Sequence, residues 1–405
     1  LRRKNRMAPT MKRHKFPHVD LYYQKALLPP DFGGYQAFPT MALAGSAIVV
    51  AFRRGRGKDA GEARDSSHGL GGDVYLMRSE DLGGTFSTPE LVLAHAPDQS
   101  NEHDALLSRV DDSRLALVTR SHGPELFINR MQFSTDGGQT FSQPTELTTE
   151  GGYGAFFGHL IPDADGQTLL GTFYNADGSL VLTCDPARLS DPDAGPIALP
   201  VRGFVHRFEG ETRLNETSLI RLSSGKLLAI LREQPVRRGL YAAISSDDGR
   251  TFALPAPIGV IGEAPSVLAL SGNAILVLFR DLDVDRTAGE DFIDPDILRR
   301  ERWQAALAAA EAAGLTEEEF ENKWEKAEEA LAEPPMACGV SLVFSPDGGK
   351  SWSEPFPLAR YEGGRYHGGY GDMILLPDGS IFAVYHLAEK PDDLPHLCCC
   401  RFKLG

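Results

Sequence analysis

The pattern Ser-x-Asp-x-Gly-x-Thr/Ser-aromatic occurs four times in this chain of 405 residues, at Ser79–Phe86, Ser134–Phe141, Ser245–Phe252 and Ser345–Trp352. It is too elaborate to recur by chance, so the chain is built from repeats. Each copy is suited to a tight turn. The carboxylate and hydroxyls can bond turn amides, the glycine supplies a positive φ, and the aromatic ring pins the hairpin to its neighbours. The four aspartates lie 55, 111 and 100 residues apart. The middle gap therefore holds two units and the last holds one unit plus an insertion, a period expected of a four-stranded blade.

A second repeat has the same period. Six segments, 38–52, 105–119, 160–173, 217–231, 266–279 and 373–385, read as an apolar strand, a polar or glycine turn, and an aliphatic strand. Each ends on a polar or aromatic side chain, Arg53, Arg120, Tyr174, Arg232, Arg280 and His386. The expected fold is all-β, a single six-bladed β-propeller over 19–405, with segment 19–30 closing the ring against the last blade and so removing exposed edges. Residues 284–335 are expected to interrupt blade five. Their core, 294–332, is rich in Ala, Glu, Leu and Lys with helical spacing, and reads as a helical hairpin able to cap the site or to form a dimer contact.

Neighbouring strands of a blade are antiparallel, so the repeated turns, between strands three and four, lie on one face. The starts of the inner strands and the ends of the second strands gather on the other. That face collects Glu102, His103, Asp104, His159, Glu216, Glu263 and Tyr370 with the four arginines. Net charge is −15, from 41 basic and 56 acidic residues, which argues against nucleic acid or an anionic membrane as partner. Gathering Arg53, Arg120, Arg232 and Arg280 in such a chain implies either an anionic ligand or local pairing, for which the adjacent Glu233 and Asp281 are the nearest carboxylates in sequence.

The five cysteines are odd in number and lack zinc-ligand spacing, so they read as reduced thiols. No metal and no cofactor is expected. No apolar stretch approaches the roughly 20 residues a membrane span requires. The expectation is a cytoplasmic protein in the form given, with a removed secretion signal as the alternative. Residues 1–18 form a basic tail.

With these motifs the chain resembles the sialidase (neuraminidase) superfamily, whose Asp boxes the four turns match, over nearly its whole length outside the tail and the helical insertion. Asn215-Glu216-Thr217, followed by Gly225 and Arg232, is similar to the family's fourth blade. The resemblance implies that Glu216 polarises a nucleophilic tyrosine and that Arg232 belongs to a carboxylate-binding triad. Gly369-Tyr370-Gly371-Asp372 is similar to the region supplying the tyrosine, implying Tyr370 as nucleophile. The family's acid/base aspartate lies in the blade-one loop, where Asp59, Asp65, Asp73 and His68 are candidates and Asp65 with His68 preferred. Two triad arginines are missing, since Gln36-Ala37-Phe38-Pro39 and Met336-Ala337-Cys338-Gly339 stand at their places.

A sialidase-like glycoside hydrolase removing a terminal, acidic sugar other than ordinary N-acetylneuraminic acid is therefore the leading expectation. Tyr370, Glu216, Asp65 and His68 would be its catalytic groups, and Arg232, Arg53, Arg120, Arg280, His103, Asp104 and His159 would bind substrate. The alternatives are a polysaccharide lyase acting on uronic-acid glycans, with His68, His103, His159 or His367 as base, and a non-catalytic carbohydrate-binding propeller. A carbohydrate is the expected partner in each case, with homo-oligomers formed through the helical insertion.

Overall fold

The structure is a computed structural model that describes residues 13–55, 71–95, 101–122, 127–150, 152–189, 195–208, 213–234, 238–282, 306, 338–362, 367–390 and 393–405. The chain is all-β, and its sheets are arranged like the blades of a propeller. In chain order, β1 is Val19–Ala26, and β2 (Tyr35–Ala44), β3 (Ala47–Gly55), β4 (Asp73–Ser79) and β5 (Glu90–Leu93) form one antiparallel sheet. The next sheet comprises β6 (Asn101–Arg109), β7 (Leu115–His122), β8 (Phe127–Ser134) and β9 (Thr145–Thr149). The third comprises β10 (Gly154–Pro162), β11 (Leu169–Asn175) and β12 (Gly178–Cys184); β13 (Ile197–Leu199) crosses back to pair with β9, and β14 (Val201–Arg207) completes the third sheet.

A seven-stranded sheet follows, from β15 (Arg213–Arg221), β16 (Leu227–Gln234) and β17 (Gly239–Ser245) through β18 (Ala256–Ala269) to β19 (Ile275–Asp281), β20 (Cys338–Ser345) and β21 (Phe356–Tyr361). Finally β22 (Gly368–Leu375), β23 (Ile381–Leu387) and β24 (His396–Leu404) pair with β1, which lies antiparallel to β24. Among the described residues the sheets number five, against the six blades expected: three have four strands, one has five because β13 joins β9, and one has seven. The reason is β18. Its first part pairs with β17 and its second with β19, so one uninterrupted strand serves two antiparallel sets. The helical hairpin expected within 284–335 lies outside the described residues, Ala306 excepted, and none is seen among the described ones. The tail residues 1–12 also lie outside them.

Side-chain packing joins the sheets in a closed series. One apolar cluster, with Phe52, Met77, Phe382 and Cys399, lies between the first and last sheets; another, with Ala51, Leu76, Leu107 and Leu117, lies between the first and second. Others continue around the ring, and the one with Tyr361, Met373 and Phe402 joins the seven-stranded sheet to the last.

The four repeated turns link β4 to β5, β8 to β9, β17 to β18 and β20 to β21. All carry the same bonds. The first Ser Oγ donates to Asp Oδ1 and accepts from the Gly N–H; the Thr/Ser N–H donates to Oδ1 and its hydroxyl to Oδ2, at 2.6–3.0 Å throughout. These bonds hold the carboxyls of Asp81, Asp136 and Asp247 down to about 2. Each turn's aromatic enters the cluster shared with the preceding strand set: Phe86, Phe141, Phe252 and the fully buried Trp352.

Around the axis, β2, β6, β10, β15, the second part of β18, and β22 touch one another in a closed ring. Each is broken by a bulge, and each bulge holds a residue of positive φ: Phe38 (52°), Asp104 (48°), Gly158 (73°), Glu216 (43°), Ala264 (52°) and Gly369 (92°). Four of these six are not glycine, which costs backbone strain at every turn of the ring. A bulge re-aims the side chains beside it, and here it turns them toward the axis.

Candidate functional site

Tyr370 follows the positive-φ glycine of the β22 bulge, and Glu216 is itself the positive-φ residue of the β15 bulge. The two side chains meet: Tyr370 Oη donates to Glu216 Oε1 at 2.9 Å, although 154 positions separate them in sequence. Arg232 Nη1 lies 2.8 Å from the same oxygen. Glu216 is only 6% exposed, and its second oxygen, Oε2, is buried without a hydrogen-bond partner. Burial pushes its carboxyl above the ordinary range, against the pull of Arg232. Burial, and then Glu216, drives the Tyr370 phenol well above its usual value, so the phenol is neutral and donates. The pair is a proton donor set directly on a carboxylate base, the arrangement that activates a nucleophile.

Every arginine of the expected ring has local contacts. Arg232 donates through Nε to Asn215 Oδ1 at 3.1 Å and through Nη2 to Gln234 Oε1 at 3.0 Å, besides its pair with Glu216. Arg280 pairs with Glu263 at 2.9 Å, and Arg238 reaches the other oxygen of Glu263 at 2.6 Å. Arg120 pairs with Asp104, whose carboxylate is thereby engaged. Arg53 is fully buried beneath Gly72, with its guanidinium 5.9 Å from the Tyr35 ring, and burial lowers it to about 10. The carboxylates next in sequence are not the partners expected for Arg232 and Arg280. Residues adjacent along a strand point to opposite faces. Glu233 accepts from the Gly239 N–H and Asp281 from Ser341, whereas the residues that reach the arginines, Glu216 and Glu263, come from the neighbouring inner strand.

His159 lies on the axis, but both its ring nitrogens are taken. Nδ1 faces Leu107 O at 2.8 Å and Nε2 faces Asp372 Oδ1 at 2.9 Å. A ring with acceptors on both sides is an imidazolium, and Asp372 raises its pKa despite burial. It has no free nitrogen with which to act as a base or grip a sugar. Asp372 also accepts from Thr40 Oγ1, Met41 N, Ser266 Oγ and Met373 N, so this carboxylate ties together strands around the ring. A cavity of about 50 Å³ sits at the axis, lined by Tyr370, Phe38, Asp104, Phe157, His159 and Asp372 among others. Glu216 and the arginines do not line it, so the chemistry is to be sought at the Tyr370 side of the cavity.

Of the other expected site residues, Asp59, Asp65 and His68 lie outside the described residues, as does the side chain of His103. Asp73 accepts from the N–H of His95 and meets its Nδ1 at 2.6 Å. In the two segments expected at the places of the missing arginines, Ala37 and Cys338 are completely buried and the Phe38 ring lies edge-on to Tyr370 at 4.9 Å, while 336–337 lie outside the described residues. Sequence reading missed Arg238, Asn215 and Gln234 as partners in the cluster. Asn215 and Gln234 were traceable in principle, because they are cross-strand neighbours of β15 and β16. Among the described residues no group of three or more His, Cys, Asp or Glu is placed to hold a metal ion, and no helix is long and apolar enough to cross a membrane.

No family model and no curated protein sequence matches the chain. Solved structures do. A protein of unknown function from Dyadobacter fermentans superposes with a TM-score of 0.68 at 16% identity, covering 96% of this chain and all of the other. The NanB sialidase of Streptococcus pneumoniae gives 0.59 at 10% identity over 97% of this chain and 71% of that one. The leech intramolecular trans-sialidase, crystallised with 2,7-anhydro-Neu5Ac, gives 0.60 at 11% identity over 95% and 70%. Identities this low speak to architecture alone. What the chain shares with these sialidases is the fold.

Proposed function

We propose that the chain is a glycoside hydrolase that releases a terminal, acidic sugar at the axial site, with Tyr370 as nucleophile and Glu216 as its base. The observation carrying this reading is the 2.9 Å bond from the half-buried Tyr370 phenol to the buried Glu216. A phenol paired with a base is the suitable nucleophile for an anomeric carbon that already bears a carboxylate, because a carboxylate nucleophile would be repelled there. Glu216 takes the phenolic proton as Tyr370 Oη attacks, and the glycosidic bond breaks with protonation of the leaving oxygen. Asp65 and His68 are the residues proposed to supply that proton. Similarity of architecture to NanB and to the leech trans-sialidase supports a glycan as substrate. The same reading counts six blades in one propeller, the seven-stranded sheet being two blades that share β18.

A second reading, a non-catalytic carbohydrate-binding propeller, is favoured by one observation: Arg232 is already bonded to Asn215, Glu216 and Gln234, leaving little of its guanidinium for a ligand carboxylate. A panel of 4-methylumbelliferyl glycosides of acidic sugars, assayed for released fluorophore, separates the two. Turnover by the wild type that Tyr370→Phe abolishes is the expected result. Glycan binding without release would support the binding module, and an unsaturated product absorbing near 235 nm would support a lyase.

A further inference from the structure

Glu263 carries one negative charge and meets two guanidinium groups, those of Arg238 and Arg280. Pairing alone would be met by Arg238. The second cation is therefore in excess of what the carboxylate requires, and its position is informative. Arg280 is 2% exposed, its Nε donates to Gly368 O at 2.7 Å, and its Cζ lies 4.7 Å from the centre of the Tyr370 ring. Gly369 sits between these two contacts at φ 92°, and a Cβ there would stand 2.5 Å from Arg280 Cβ and Cγ. The bulge that presents Tyr370 and the arginine side chain are thus fitted to one another. His386 Nδ1 meets the backbone O of Tyr370 at 3.1 Å, and its ring stacks on that of Tyr370 at 6.1 Å.

We infer that Arg280 is a positioning residue for Tyr370: it fixes the β22 bulge through Gly368 O and holds a cation against the phenol ring. The inference rests on the proposed role of Tyr370 as nucleophile. In the second half of that reaction water attacks the anomeric carbon and gives its proton to the group that earlier protonated the leaving oxygen, the bond from sugar carbon to Tyr370 Oη breaks, and the phenolate leaves with the electron pair before Glu216 returns its proton. A desolvated cation against the ring stabilises that leaving phenolate. Arg232 and Glu216 act on the phenol, Glu263, His386 and Arg120 are the other titratable groups near it, and Tyr361 faces Arg280. Both His386 and Arg280 combine a ring contact with a bond to the bulge backbone, and of the two Arg280 brings the permanent cation.

The test uses the full chain with 3-fluorotyrosine incorporated, the Tyr370 fluorine resonance being identified by its loss in Tyr370→Phe. Arg280→Met is expected to shift that resonance and to move the phenol's titration upward, while the melting transition remains cooperative. Arg280→Lys, which keeps the charge and loses the fork, is expected to restore the titration toward wild type but not the resonance. On the best substrate of the acidic-glycoside panel, Arg280→Met is expected to lower kcat roughly tenfold, with KM falling in step as the Tyr370-linked intermediate accumulates. A resonance and titration unchanged in folded Arg280→Met would overturn the inference. Should that variant not fold, a wild-type resonance in Arg280→Lys would overturn it equally. Fluorine changes as expected without turnover of any glycoside would uphold the placement of Arg280 and reject the hydrolase. Turnover with unchanged fluorine spectra would do the reverse.

Discussion

The four rim turns and the six inner bulges both recur around the ring, the first with the same residues in every copy and the second with a different residue each time. In the rim turns the side chains make the geometry. Ser, Asp, Gly and Thr or Ser supply identical hydrogen bonds at all four sites, so each turn is held by its side chains. In the bulges the backbone makes the geometry, through a register shift and a positive φ, and the residue that sits there is free to be Phe38, Asp104, Gly158, Glu216, Ala264 or Gly369. A repeat held by its backbone can be diversified for chemistry, and it is among the bulges that Glu216 and Tyr370 meet.

This contrast predicts that the two regions fail differently when altered. Glu216→Gln is expected to reduce turnover on the order of 10³-fold, about 4 kcal/mol in the barrier, while the denaturation midpoint stays near wild type. A large loss of stability with it would mean that the bulges are structural after all. On the proposed mechanism the acidic limb of kcat/KM for the wild-type chain should lie above the ordinary glutamate range, because Glu216 must be ionised and burial opposes that.

Asp372→Ala marks the exception among the inner residues, since it strands His159 and removes every bond this carboxylate accepts. Urea unfolding should show a loss of about 3 kcal/mol. His159 has a raised pKa, so its contribution is complete below the unfolded value of about 6.5 and fades as pH rises through the folded one. His159→Gln should flatten that alkaline decline, and an unchanged profile would show that the axial pair is not ionic.

At the rim, Asp136→Ala should cost about 1 kcal/mol, limited by exposure to water, and leave turnover unaltered. Asp81, Asp136 and Asp247 are held down to about 2, below their unfolded value, so their contribution is present above about pH 4 and lost as pH falls toward 2. Acid unfolding monitored by circular dichroism should therefore shift upward in pH in Asp136→Ala. The smallest effect expected is a gain: Ala264→Gly relieves a positive φ of 52° and should stabilise the chain by about 0.5 kcal/mol, net of the glycine's own entropy.

The same contrast explains what could be read from the residues. The rim turns were legible because side-chain chemistry leaves letters behind, and Glu216, Arg232 and Tyr370 could be nominated from the segments around them. The bulges left no letters, since Phe38 and Ala264 look like ordinary strand residues. The arginine partners were misread for a geometric reason: proximity along the chain favoured Glu233 and Asp281, while the pleat hands Arg232 and Arg280 to Glu216 and Glu263 across the sheet. The joining of two strand sets by β18 was equally hidden, because a strand that changes partner midway carries no turn signal at the change.

The antiparallel seam between β1 and β24 ties the first described strand to the last. During synthesis β1 must wait, unpaired, until β24 has emerged, a wait that the loop-closure cost of so distant a partner prolongs. Cutting the seam by removing β24 should therefore leave a species with two naked edges and a tendency to associate edge to edge, even though every residue of the Tyr370 and Glu216 pair would still be present.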